Sequence, residues 1–86
     1  MMYPTDEQLE TIKNWKNYNI HSLFDYIYDF WHLPEWGWKR NGDTYFISTG
    51  GWSGNEDIID AMQSNPIWWG MFWELSKRGG HYIFSP

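Results

Sequence analysis

The chain has 86 residues, a formal net charge of −5 and no cysteine, and nineteen of its residues are Phe, Trp or Tyr, eight of them Trp. These values exclude a disulfide framework, a thiolate zinc site and a cysteine nucleophile, and they argue against general affinity for DNA or anionic membranes. A domain of this length buries only about 60–65% of the surface its unfolded chain exposes, so some indoles are expected at the surface, where Trp, Tyr and Arg make binding hot spots.

Thr5-Asp6-Glu7-Gln8 reads as a capping box, with Thr5 at the N-cap and Gln8 three residues on. Leu9, Ile12 and Trp15 follow at helical spacing, which predicts a first helix over 6–16. A second helix is expected over 20–32, where Leu23, Ile27, Phe30 and Trp31 form an apolar stripe opposite Ser22, Asp25 and Asp29, with Pro34 as its stop. On that helix His21, Asp25, Asp29 and His32 line one face. They extend over about 16 Å, too far for one metal ion, and read as the polar side of an amphipathic helix.

The pattern changes at Trp36. Trp36-Gly-Trp-Lys-Arg, Asn41-Gly42 and Asp43-Thr-Tyr-Phe-Ile-Ser-Thr read as a β-hairpin whose Asn-Gly pair calls for a type I′ turn. Gly50 to Gly54 form a loop, and Ser53 with Glu56 suggests a second capping box opening a short helix through Met62. Asn65-Pro66 is expected to end that helix. From about Met71 the chain reads as mostly strand, turning at Arg78-Gly79-Gly80 into a strand at His81-Tyr-Ile-Phe. The expected architecture is a single α+β domain over 1–86: two N-terminal helices, a hairpin, a short helix and a C-terminal hairpin, with the helices on one face of a four-stranded antiparallel sheet.

Three features bear on function. The loop Thr49-Gly-Gly-Trp-Ser-Gly-Asn-Glu56 lacks the Lys-Ser/Thr ending of a P-loop and the GxGxxG spacing, and Glu56 and Asp57 oppose phosphate at the helix start. It reads first as a strand-to-helix connection with a capped start; the alternative is a small binding loop with Trp52 at its tip. All the basic charge beyond Trp36 lies in Lys39-Arg40 and Lys77-Arg78; if the two hairpins share an orientation, these join into one patch flanked by Trp36, Trp38 and His81, suited to single-stranded nucleic acid or an anionic nucleotide-like ligand. Ser53, in Gly-Trp-Ser-Gly, is better explained as a helix cap than as a nucleophile, so no enzyme, cofactor or metal centre is expected. The expected binding residues are Trp38, Arg40, Trp52, Ser53, Lys77, Arg78, His81 and Tyr82.

The string Ser48-Thr-Gly-Gly-Trp-Ser-Gly-Asn-Glu-Asp-Ile-Ile-Asp-Ala-Met, with Phe72-Trp73 and Ser76-Lys-Arg-Gly-Gly-His-Tyr82, resembles small accessory proteins encoded by bacteriophages. The resemblance covers about residues 45–84 and carries no assigned activity, so it implies no catalytic residue. It implies a phage gene product acting in the bacterial cytoplasm. With the absence of a secretion signal and of any apolar run of roughly 20 residues, it suggests a soluble protein that binds and modulates a host protein, of the anti-CRISPR or anti-restriction kind. A binder of anionic ligands is the alternative, and a homodimer closed by exposed aromatics is a third arrangement.

Overall fold

A computed structural model describes residues 3–86; Met1 and Met2, the first residues of the expected domain, lie outside the described part. Its elements are α1 (Asp6–Lys13), α2 (Ile20–Tyr28), α3 (Pro34–Gly37), β1 (Trp38–Asn41), β2 (Thr44–Ser48), α4 (Ser53–Gln63), α5 (Pro66–Phe72), β3 (Trp73–Lys77) and β4 (His81–Phe84). The strands form one antiparallel sheet in the order β1-β2-β4-β3, and the helices pack on one side of it, as the α+β reading requires.

Local chemistry sets most element starts. Thr5 accepts from the Gln8 N–H at 3.0 Å while Gln8 returns a bond to the Thr5 N–H at 2.9 Å, completing the capping box. Asn19 caps α2 through the His21 N–H at 2.9 Å. Both helices end earlier than their periodicity suggests. α1 stops at Lys13 with Asn14 as its cap, and α2 at Tyr28. Pro34 does not stop α2 but opens α3, since its fixed φ and missing N–H suit a first helical position. Trp36 therefore belongs to α3, and the hairpin begins at Trp38. Asn65-Pro66 acts likewise: α4 has already ended at Gln63, and Asn65 caps α5 with Pro66 at its first turn.

The first hairpin turn is displaced by one residue from the expected Asn-Gly centre. Asn41 pairs with Thr44, so Gly42 and Asp43 form the turn, and only Gly42 has a positive φ, +61°. A type I′ turn needs positive φ at both central residues; glycine at the first alone is the type II′ arrangement. The second capping box does not form. Trp52 is the N-cap of α4 without a side-chain bond, and Ser53, now inside the helix, donates to the Tyr3 hydroxyl at 3.5 Å. The strand expected from Met71 starts at Trp73, because α5 continues to Phe72.

The core centres on Phe24. Its ring stacks on Tyr45 with centroids 4.0 Å apart and meets Trp38, Trp68 and Phe84 edge-on or tilted at 5.3–5.6 Å. Leu23, Phe24 and Ile27 of α2, Ile58, Ile59 and Met62 of α4, and Trp68 of α5 are all buried with it. Full burial of such side chains contributes about 1.5–3 kcal/mol each. Along β2 the pleat alternates Tyr45 and Ile47 inward with Phe46 outward, and the outward row Lys39, Phe46, Ile83 and Leu75 crosses the helix-free face. Of the eight indoles Trp31 and Trp68 are buried, while Trp36 and Trp73 are exposed.

Candidate functional site

β2 and β4 are antiparallel, with Ser48 opposite His81 and Tyr45 opposite Phe84, so the Gly42-Asp43 turn and the Arg78-Gly79-Gly80 turn lie at opposite ends of the sheet. The expected four-cation patch is therefore not assembled. Arg40 stands at one end, Lys77 and Arg78 at the other, and Lys39 projects from the middle of the open face. Trp38 is also displaced from the expected surface. Its ring lies among Phe24, Tyr28, Trp31 and Tyr45 on the helix-covered side.

What the topology does bring together is the Gly-Gly-Trp loop and the Arg-Gly-Gly-His turn. The Thr49 N–H donates to the Gly80 carbonyl at 3.0 Å, and the Thr49 side chain occupies the space where a Gly80 Cβ would stand. Gly50, Gly51, Gly79 and Gly80 all have φ between +65° and +89°, a region L side chains enter only with strain. Two tight turns are thus laid side by side at the end of the sheet.

Beside them lies a cleft of about 350 Å³ lined by His32, Leu33, Trp36, Thr49, Gly50 and Trp52. Its inner wall is the stacked pair Trp52 and His32, with ring centroids 4.3 Å apart, and Tyr3, outside the lining, stacks on Trp52 at 5.4 Å. Trp52 is therefore a half-buried wall and not a loop tip; the tip is Gly50-Gly51. Gly54, the second residue of α4, leaves room for the Trp52 ring, whose Nε1 stands 2.9 Å from where a Cβ would be. The outer wall is Trp36, 65% exposed, whose ring passes 3.1 Å from an added Cβ at Gly50. Leu33, half exposed, has φ 54° and ψ 57°, a left-handed conformation costly for a branched non-glycine residue.

Buried Asn55 holds this arrangement from beneath. Its Oδ1 accepts from the His32 N–H at 2.9 Å, and its Nδ2 donates to the carbonyls of His32 at 3.0 Å and Thr49 at 3.3 Å. One side chain therefore fixes both loops that frame the cleft.

On the open face of the sheet a second cleft, about 290 Å³, is lined by Phe46, Ser48, Lys77, His81 and Ile83 among others. Ser48 Oγ and His81 Nδ1 are hydrogen-bonded at 2.7 Å, but among the described residues no carboxylate orients the imidazole from its other nitrogen. The pair joins the β2 and β4 ends; it lacks the third member that makes a serine a nucleophile. Tyr82 faces the other way, edge-on to Trp69 at 6.4 Å. Burial pushes its hydroxyl pKa up, with Glu56 and Asp60 adding to the shift.

The expected polar stripe of α2 is divided by the fold. His32 lies beyond the helix, stacked on Trp52, while His21 reaches across to the first hairpin. His21 Nδ1 meets the Tyr45 hydroxyl at 2.6 Å and Nε2 meets Asp43 Oδ1 at 2.8 Å. Arg40 lies over the Tyr45 ring, 5.6 Å from its centroid, and its Nε donates to the Gly42 carbonyl at 2.8 Å. This cluster fastens the first turn to the start of α2. Among the described residues no three His, Asp or Glu side chains are placed to hold a metal ion.

Of the residues singled out from sequence, the structure gathers Trp52, Ser53, Lys77, Arg78 and His81 around one end of the sheet, turns Trp38 and Tyr82 to its helix-covered side and leaves Arg40 at the other end. Leu33, Trp36, His32 and Asn55 complete the site. The sequence reading named Trp36 only as a flank of the basic patch and His32 only as part of the polar stripe of the second helix, and it singled out neither Leu33 nor Asn55 as a site residue. No helix of the described residues is long and apolar enough to cross a membrane. Comparison with protein-family models, curated proteins and solved structures gives no match to any of them.

Proposed function

We propose that the chain is a non-enzymatic binding protein that inhibits or modulates a protein of its host cell, of the counter-defence type. The observation that supports this best is the cleft between Trp36 and the Trp52–His32 stack, held by buried Asn55 and flanked by two glycine turns. Exposed Trp36 beside a pocket, with Arg78 at the neighbouring turn, is the composition of an interface hot spot with a polar rim. A pocket fixed before binding loses little conformational freedom when a partner side chain enters it. The resemblance to phage accessory proteins makes a bacterial host protein the natural partner, and a bacterial cytoplasm the place of action.

The test is affinity capture from bacterial lysate by the wild-type chain and by a Trp36→Ala, Arg78→Ala variant, washed at low and high salt. A single protein held by the wild type at high salt and lost by the variant is the expected result. Hot-spot truncation of about 2 kcal/mol weakens binding roughly 30-fold per residue. Equal capture by the folded variant overturns this assignment of the site. Nucleic acid held at low salt alone moves the reading to the anionic-ligand alternative, because phosphate contacts weaken steeply with salt.

A further inference from the structure

The sheet ends in an open edge that the binding cleft does not use. β3 is the last strand in the order β1-β2-β4-β3, and all five of its residues, Trp73 to Lys77, are exposed. Its pairing with β4 uses one side of its backbone; the other faces outward with its N–H and C=O groups free to pair with a further strand. Trp73 and Leu75 are 43% and 39% exposed, and Met71, two residues before the strand, is 49% exposed. Large apolar side chains on an unpaired edge strand are what soluble proteins ordinarily avoid.

The charge on this edge is self-complementary. Glu74 lies near the start of β3, where its Oε1 accepts from Ser85 Oγ at 3.0 Å and its exposed carboxylate keeps a second oxygen, and Lys77, followed by Arg78, lies at the end of the strand. A strand with its acid first and its bases last is matched by a second copy of itself running antiparallel, since each Glu74 then faces the basic end of the other strand. A parallel copy would place like charges together. A two-fold axis generates the antiparallel arrangement, and an isologous interface requires this self-matching. The β-bulge between Trp73 and Leu75 interrupts the edge and limits the registers in which a strand can add.

We infer that two copies of this chain associate through β3, edge to edge and antiparallel, joining their sheets into one of eight strands and covering Trp73 and Leu75. The interface lies on the outer edge of β3 and leaves the Trp36 cleft free; it shares Lys77 and Arg78 with the polar rim of the proposed partner site, and the mass of the purified chain reads it without that partner.

Sedimentation velocity of the full chain over a range of concentrations at low salt tests this. The expected result is a concentration-dependent shift from the 10.5 kDa chain to a species of twice that mass. Glu74→Lys alone and Lys77→Glu alone should each weaken association about tenfold, because a two-fold interface carries every substitution twice and like charges then face each other. The double variant, with the two charges exchanged, should restore it. Both residues are exposed, and circular dichroism of each variant verifies that the fold is retained. A monomer at every concentration overturns the inference, as does a dimer that neither single substitution weakens or one the double exchange fails to restore.

Discussion

The Asn55 side chain grips the His32 peptide at both ends, accepting from its N–H at 2.9 Å and donating to its carbonyl at 3.0 Å. Asn55 is 2% exposed, and its second donor bond, to the Thr49 carbonyl, reaches the other loop of the cleft. Replacing it with Ala leaves a buried N–H and buried carbonyls short of partners, which costs about 2–3 kcal/mol. Asn55→Asp should be no better, since a carboxylate would then face two carbonyl oxygens. Urea unfolding of both variants measures this. Loss of less than about 0.5 kcal/mol in Asn55→Ala would show that the clamp is not what holds the loops together.

One glycine from each of the two adjoining turns yields a contrast. At Gly51, φ is +73° and an added Cβ meets nothing within 4 Å, so Gly51→Ala carries only the left-handed backbone cost of roughly 1–2 kcal/mol. At Gly80, φ is +78° and the added Cβ would collide with the Thr49 side chain. Gly80→Ala therefore adds a clash to the backbone cost and pushes apart the two loops that Thr49 joins. Thermal melting should rank Gly80→Ala well below Gly51→Ala; equal Tm values would mean the Thr49–Gly80 contact yields easily.

Much of this fold is legible along the chain because the relevant chemistry is local. Thr5 and Gln8 cap each other, the α2 stripe has a helical period, and Arg78-Gly79-Gly80 is a turn by composition. Proline is where local reading divides. Pro34 and Pro66 each follow a helix and each open one, since a residue that cannot continue a helix is well suited to begin it. Ser53 has the right neighbours for a cap, but the stack of Trp52 between Tyr3 and His32 accompanies a helix start one residue earlier. The separation of Arg40 from Arg78 follows from β2 pairing with β4, a contact between distant segments that no turn chemistry encodes. The glycine loops of the site announce themselves; that they touch, and that Trp36 and Leu33 stand beside them, does not.

Tyr45 ties stability to alkaline pH. Burial raises its pKa above the ordinary 10.0; Arg40 opposes the shift, and Asp25 and Asp43 reinforce it. The folded state thus keeps a proton that the unfolded chain releases, so the number of protons bound is greater in the folded state above pH 10. The stabilisation from the neutral hydroxyl is complete below that pH and declines as pH rises from 10.0 through the folded-state pKa. Unfolding followed from pH 8 to 11 should show stability falling beyond pH 10, less steeply in Tyr45→Phe. Tyr82, shifted the same way, accounts for part of the remaining slope. A Tyr45→Phe profile parallel to wild type would remove Tyr45 as a source of the alkaline loss.

Leu33 separates stability from binding. Its left-handed backbone, φ 54°, costs a non-glycine residue roughly 1–2 kcal/mol, whereas glycine adopts it freely and loses about 0.5–1 kcal/mol through greater freedom in the unfolded chain. The side chain is half exposed, so its removal forfeits little burial. Leu33→Gly should therefore leave the protein as stable as wild type or up to about 1 kcal/mol more so. If the leucine lines the cleft in order to meet a partner, the same variant should bind that partner more weakly, and the two effects will have opposite signs. Denaturant unfolding reads the first, and capture of the partner identified by the wild type reads the second. Stabilisation with undiminished binding would make the strained backbone a consequence of the turn into α3; destabilisation would show that the Leu33 side chain supports the fold from its half-exposed position.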